Sequence, residues 1–247
     1  MSTSVMTERL EEASPLFKAR VAGALYLIGG LLGGFAEVFV RGKLVVSGDA
    51  AATATNILAH EWLYRLGGAA DLISLACDTA VALLFYDLLK PVSRSLSLLA
   101  AFFRLTWVAP MALNSLNYFA PLVLLGGRHY LTVFKPDQLQ AMAYTALKLH
   151  ALGYNICLVS FGFTCLLIGY LICRSVFLPR ILGVLMAIAG LCYLTNSFAN
   201  FLSPAFARPL FPWILLPAFP GEFGLMLWLI VKGVNVQRWK EQASLSL

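Results

Sequence analysis

Long apolar segments are the feature that most limits what this sequence can fold into. Its hydrophobic residues, 60% of the total, fall in successive runs. Each run is close to the roughly 20 residues that a helix needs to cross a hydrocarbon layer of about 30 Å. Only 12% of the residues are charged, against roughly 25% in soluble domains, too few to cover a water-facing surface. The sequence therefore predicts an all-α, polytopic transmembrane helix bundle of about six spans.

The runs and their flanking residues define the expected domains. These are a cytoplasmic N-terminal segment (1–19), a transmembrane helical domain (20–236) and a cytoplasmic tail (237–247), with spans at 20–40, 61–89, 93–127, 137–174, 179–202 and 216–236. Asp49 is expected to cap a short helix that follows it, and Pro110 and Pro121 are expected to kink the third span. Whether 41–60 or 203–217 adds a re-entrant or seventh helix is left open.

Basic residues indicate the orientation. Ten lysines and arginines lie on the side of the termini and five on the other, while Arg65, Arg104 and Lys148 fall inside spans. The positive-inside rule then predicts that both termini are cytoplasmic, in a bacterial inner or plasma membrane. Because the basic residues lie in short inter-helix segments, the net charge of +6 indicates orientation in a lipid bilayer and no nucleic-acid partner.

Ionised residues at hydrocarbon depth are costly and usually face a protein interior. Asp78 and Arg104 each lie about ten residues, or ~15 Å, from the cytoplasmic end of their spans, which predicts a buried ion pair. Asp71 lies about ten residues from the outer end of its span, and Lys148 lies at a matching depth, which predicts a second pair. Such pairs can also serve only to fix helix register, and this structural interpretation is kept beside the functional one.

Further polar residues on the outer half of the spans predict a cavity open toward the outer leaflet. Its candidate lining residues are Glu37, Glu61, Arg65, Asp71, Asn114, Asn117, Lys148, His150, Tyr154, Asn196 and Glu222. Glu37, Glu61 and Arg65 lie near the interface, so a solvated surface is an equal alternative for them. The aromatic residues around this region are more typical of interface and packing positions than of a ligand box.

Motifs of known chemistry are missing. The sequence has no zincin, serine-hydrolase or P-loop motif, and its five cysteines lack C-x-x-C spacing. Three scattered histidines form no metal-ligand pattern. No metal and no cofactor are therefore predicted.

Several segments together resemble one known family. They are the run Arg20-Val-Ala-Gly, the stretch from Gly48-Asp49 to Thr53, Glu61 with Arg65-Leu-Gly, Cys77-Asp78, Phe103-Arg104-Leu, and above all GYLICRSVFLPRILGVLMAIAG over 169–190. This pattern, across about residues 18 to 235, resembles the bacterial membrane family known as domain of unknown function 4386. The resemblance implies a multi-helix membrane protein and no particular activity.

Three functions are compatible with these residues. The first is binding of a small amphipathic or lipid-like molecule in the outward polar cavity, with Asp71 and Lys148 as head-group contacts. The second is an intramembrane acid–base enzyme acting on a lipid or isoprenoid substrate through Asp71 or Glu222. The third is a proton- or ion-coupled transporter that uses Asp71, Asp78 and Lys148 as a relay. It would call for a homodimer, for which Gly29, Gly30, Gly33 and Gly34 offer a face.

Overall fold

The computed structural model describes residues 14–245, which form helices and no strand. The first thirteen residues of the predicted N-terminal segment and the last two of the tail lie outside the described residues. The helices are α1 (Pro15–Leu44), α2 (Ala50–Ala59), α3 (Glu61–Leu89), α4 (Arg94–Leu124), α5 (Pro136–Arg174), α6 (Arg180–Leu202), α7 (Pro204–Leu210), α8 (Ala218–Val231) and α9 (Val236–Leu245).

Six of these helical segments are long and apolar enough to cross a membrane. They are α1, α3, α4, α5, α6 and a last segment, Trp213–Val231, in which a 3₁₀ turn leads into α8. The prediction of an all-α bundle with six spans is confirmed, and the chain is a multi-pass membrane protein. Between residues 14 and 245 there is no seventh span, because α2 has ten residues and α7 has seven, too few to cross a bilayer.

The helix starts follow from capping chemistry. The Asp49 side chain accepts a hydrogen bond from the backbone N–H of Ala52 at 2.8 Å, which confirms the predicted N-cap of α2. At the start of α1, Ser14 accepts a hydrogen bond from the Phe17 N–H at 3.2 Å, and Pro15 occupies the first helical position, where no N–H is needed.

Several helix ends differ from the expected spans, and two of them show the physical reason. The sixth span was expected to reach residue 236, but α8 ends at Val231 and Gly233 adopts a positive φ of 66°, a conformation that ends helices and favours glycine. The first span was expected to end at Val40, but α1 continues to Leu44 through a π-helical segment, Phe35–Arg41. Arg41 therefore belongs to the helix and not to the following loop.

The chain divides into two compact units. Unit 1 comprises Met1–Leu27, Thr79–Leu105 and Val159–Leu247. Within it, α5 and α6 approach so closely that a Cβ on Gly169 would lie 2.6 Å from the carbonyl oxygen of Gly183. A Cβ on Gly221 of α8 would lie 2.6 Å from the carbonyl oxygen of Leu185 in α6. Small residues at such crossings give the close packing that holds helices together in lipid.

Unit 2 comprises Ile28–Asp78 and Thr106–Leu158. Its core contains Tyr64 and Tyr118, whose rings stack at 4.4 Å and whose hydroxyls each donate to the other residue's backbone carbonyl. Gly67 permits this packing, because a Cβ there would lie 2.7 Å from the Tyr118 hydroxyl. The core thus fixes the first half of α3 against the second half of α4.

The glycines of α1 fall on two faces. Gly29 packs against α3, where the Ser74 hydroxyl donates to its carbonyl oxygen at 2.8 Å, and Gly33 also lies near Ser74. Gly30 and Gly34 are exposed. Half of the predicted dimer face is therefore used within the chain, and homodimerisation itself stays a prediction.

Candidate functional site

A charged cluster lies at the π-helical segment of α1, in unit 2. The Arg41 Nε donates to Glu37 at 2.6 Å, one turn back along the chain. Its guanidinium also forms a two-pronged contact with Asp71 of α3, in which Nη1 donates to Oδ2 and Nη2 donates to Oδ1 at 3.3 Å. We call Glu37, Arg41 and Asp71 the Arg41 cluster. π-Helical segments are rare and occur often at functional sites.

The three side chains of the Arg41 cluster differ in how exposed they are. The side chains of Arg41 and Asp71 are 14% and 17% exposed, whereas that of Glu37 is 62% exposed. Two carboxylates and one guanidinium give the cluster a formal charge of −1. The cluster thus combines a partly buried ion pair with an accessible carboxylate.

The structure gives Asp71 a different partner from the one expected. The predicted Asp71–Lys148 pair is replaced by the Asp71–Arg41 pair, while the Lys148 ammonium lies 5.0 Å from the centre of the Tyr144 ring. The physical reason is the length of α1. Once the helix continues to Leu44, a guanidinium reaches α3 and satisfies the carboxylate with a geometry that a lysine cannot match.

Aromatic rings line the cluster on one side. The Arg41 guanidinium carbon lies 5.5 Å from the centre of the Tyr118 ring, within the range of a cation–π contact. Tyr118 in turn stacks on Tyr64, and both are almost fully buried. The cation therefore sits between carboxylates and a closed aromatic core.

Next to this core, an amide network joins α4 to α5. Asn114 donates to the backbone carbonyl of His150 at 2.8 Å, and Asn117 donates to the Asn114 side chain at 3.0 Å. Gly153 makes room for this contact, because a Cβ there would lie 2.6 Å from the Asn114 amide nitrogen. His150 is only 5% exposed and its ring contacts Tyr118. These predicted site residues are brought together, but they are packed against one another.

Three other predicted site residues of unit 2 make their polar or aromatic contacts with residues outside the Arg41 cluster. Glu61 and Arg65 form an exposed pair one helical turn apart, with Nε to Oε1 at 2.8 Å. Tyr154 packs edge-on against Trp107, whose indole N–H donates to Asp78 at 3.0 Å. The predicted Asp78–Arg104 ion pair stays a prediction.

Unit 1 contains a second polar cluster, around Glu222 of α8. This carboxylate accepts a hydrogen bond from the Tyr26 hydroxyl at 2.5 Å and another from the Tyr193 hydroxyl. The Arg104 guanidinium lies 4.5 Å from the centre of the Tyr26 ring and 5.4 Å from that of Phe161. Arg104 is 1% exposed and Tyr26 is 3% exposed, whereas Glu222 and Tyr193 are half-buried.

The candidate cavity residues are thus divided between the two units. Asn196 and Glu222 belong to unit 1, and the other nine belong to unit 2. Sequence reasoning missed Arg41, Tyr64 and Tyr26. The apolar residues directly before Arg41 were the available signal, since they allow the helix to continue past Val40. Among the described residues, no three histidine, cysteine or carboxylate side chains come together as metal ligands.

Comparisons with known proteins found a matching family model and a similar protein from an archaeon. The model of one family, described as Domain of unknown function (DUF4386), matches residues 21–233. An uncharacterized protein of Archaeoglobus fulgidus is 30% identical over 156 residues, which are 63% of this chain and 76% of the relative. No solved structure matches the chain.

Proposed function

The chain belongs to the family described as Domain of unknown function (DUF4386), a description that assigns no activity, and we therefore propose a function from its own polar clusters. The proposed function is binding of a small amphipathic or lipid-like molecule at the Arg41 cluster, in the cell membrane. The polar head would contact Glu37 and Arg41, and the apolar part would lie along the spans.

One observation carries this proposal: the Arg41 cluster has hydrogen-bonding capacity left over beside an exposed carboxylate. A guanidinium has five N–H donors, and in the described residues three of those on Arg41 are used, one toward Glu37 and two toward Asp71. The Glu37 carboxylate is 62% exposed and engages Arg41 through Oε2. A head group that both accepts and donates hydrogen bonds fits these groups.

The charge of the cluster selects the class of head group. Its formal charge of −1 disfavours an anionic head and favours a neutral hydroxyl-bearing or a cationic amine head. The positive-inside rule supports the outward direction of the site, because Arg41 lies at the end of α1 opposite to the N-terminus. The ligand would then enter from the outer leaflet or the outer aqueous phase.

The hydrogen bonds that the carboxylates already make favour ligand binding over acid–base catalysis. Asp71 and Glu222, the two residues that the enzyme hypothesis needs, already accept hydrogen bonds from side chains of the chain. A general acid or base must reach a substrate proton within hydrogen-bonding distance. The exposed carboxylate of Glu37 instead suits recognition of a head group.

Native mass spectrometry tests the proposal. The full chain, purified in a mild detergent, is incubated with dodecylamine, dodecanol or dodecanoate, and one-to-one adducts are counted. We expect the amine and the alcohol to bind better than the carboxylate, and Glu37→Gln to weaken binding of the amine.

Glu61→Gln is the matched control, because it removes a carboxylate that is also exposed, 47% against 62% for Glu37, and that also pairs with an arginine one turn away. It is expected to leave binding unchanged. Preference for dodecanoate, or equal losses in Glu37→Gln and Glu61→Gln, would overturn the proposal.

A further inference from the structure

An open pocket of about 440 Å³ lies in unit 1, where three spanning helices end or begin. One wall is the linker from α5 to α6, residues 176–179, and the other is the turn from α8 to α9 around residues 232–235. Trp228 and Arg238 complete it. Because helix ends of this kind lie at the level of lipid head groups, the pocket opens at a membrane–water interface.

Hydrogen bonds connect the two walls. The Asn235 N–H donates to the Phe177 carbonyl at 3.3 Å, and the Val176 N–H donates to the Gln242 side chain at 3.1 Å. Arg238 also reaches the Val176 carbonyl, with Nη1 to oxygen at 3.4 Å. The pocket is therefore built from segments that are held in place by each other and not from independent surface side chains.

The pocket is positively charged. Lys232 and Arg238 line it, and no carboxylate does. Within residues 14–245 the Lys232 ammonium makes no ion pair or hydrogen bond, and Arg238 uses a single N–H for its side-chain contact. The acidic residue of α9, Glu241, accepts a hydrogen bond from Gln237. Two cations thus remain available to an anion.

Two tryptophans lie at or near this end of the helices. Trp228 lines the pocket, and Trp239 of α9 donates its indole N–H to the Leu88 carbonyl at the end of α3, at 2.9 Å. Tryptophan is enriched where spans meet lipid head groups. Basic pockets beside spanning helices at this depth suit the phosphates of anionic lipids.

We propose that this pocket binds the phosphodiester head group of an anionic phospholipid, with Lys232 and Arg238 as the charged contacts and Trp228 beside the glycerol region. A lipid is chosen over a soluble phosphate because the pocket adjoins the ends of spans that the bilayer surrounds. This site lies in unit 1 and is independent of the function proposed for the Arg41 cluster.

The test uses the full chain in detergent and counts bound phosphatidylglycerol by native mass spectrometry as the lipid concentration is raised, with phosphatidylcholine in parallel. We expect tighter binding of phosphatidylglycerol. Each basic residue near a membrane surface contributes an attraction corresponding to about fivefold in affinity, so Lys232→Gln should weaken binding about fivefold. Lys232→Gln with Arg238→Gln should weaken it further, by at most about 25-fold, because both residues contact the same head group.

Two further variants distinguish binding at this pocket from nonspecific attraction by the protein's positive charge and from loss of the fold. Lys232→Arg keeps the charge and should bind as the wild type does. Lys240→Gln removes an exposed cation of α9 that does not line the pocket and should have no effect. A loss in Lys240→Gln equal to that in Lys232→Gln would overturn the proposal, and so would equal competition by inorganic phosphate or equal binding of phosphatidylcholine.

Discussion

Neutralising the three members of the Arg41 cluster one at a time should destabilise the protein in a definite order. Glu37→Gln removes an exposed partner and should cost about 0–1 kcal/mol, as for surface pairs. Asp71→Asn removes a mostly buried acceptor of two charge-assisted hydrogen bonds, for which about 1.5–3 kcal/mol is typical. Arg41 keeps Glu37 as a partner in that variant, so the lower half of the range is expected.

Arg41→Gln should be the most damaging of the three. It removes the contacts to both carboxylates and leaves Glu37 and Asp71 as neighbouring like charges, one of them mostly buried. Breaking a buried pair by removal of one partner costs about 3–5 kcal/mol, and because Asp71 retains 17% exposure we expect about 3 kcal/mol at most. In the double variant with Asp71→Asn the coupling should be about 1–2 kcal/mol.

The free energy of unfolding can be measured by titrating mixed micelles with sodium dodecyl sulfate and following the fluorescence of the five tryptophans. Arg65→Gln is the control, because it breaks an exposed pair one helical turn apart and should cost less than about 1 kcal/mol. The reasoning is refuted if Asp71→Asn is at least as damaging as Arg41→Gln, or if the cycle shows no coupling.

Three further predictions concern packing, capping and topology. Gly169→Ala places a Cβ 2.6 Å from a backbone carbonyl and should cost about 1–3 kcal/mol in the same assay, whereas Gly34→Ala, with nothing within 4 Å, should be neutral or stabilising. Asp49→Ala should cost about 1 kcal/mol, and Asp49→Asn should restore most of it. In a cysteine-free background, Thr132→Cys should react with an impermeant maleimide in intact cells and Ser244→Cys only after lysis; the reverse would contradict cytoplasmic termini.

Much of the fold could be predicted from the sequence because its strongest determinant is local. A run of apolar residues specifies a spanning helix whatever its neighbours are, and the Asp49 cap depends on backbone only three residues away. Helix ends were harder to predict, as α1 shows. Its π-helical segment extends the helix past Val40 and so includes Arg41. A charged residue lowers the hydropathy of a segment, so hydropathy alone predicts that the span ends before it.

The polar contacts were less predictable because they join distant parts of the chain. Glu222 was recognised from the sequence as a site residue, but its partner Tyr26 lies 196 residues away. Depth matching could suggest Lys148 for Asp71, but it says nothing about which faces of two helices meet. Only the packing of the helices shows that Arg41 is the partner.

The division of the chain into units has a consequence for biosynthesis. Unit 2 ends at Leu158, whereas unit 1 requires Val159–Leu247 in addition to two earlier segments. A ribosome that feeds spans to the insertion machinery in order delivers every residue of the Arg41 cluster's unit before the last two spans exist. The α3 segment of unit 1 can meet α1 early, as in the Lys18–Asp87 ion pair, but its Leu88 carbonyl receives the hydrogen bond of Trp239 only after the last spans have been translated.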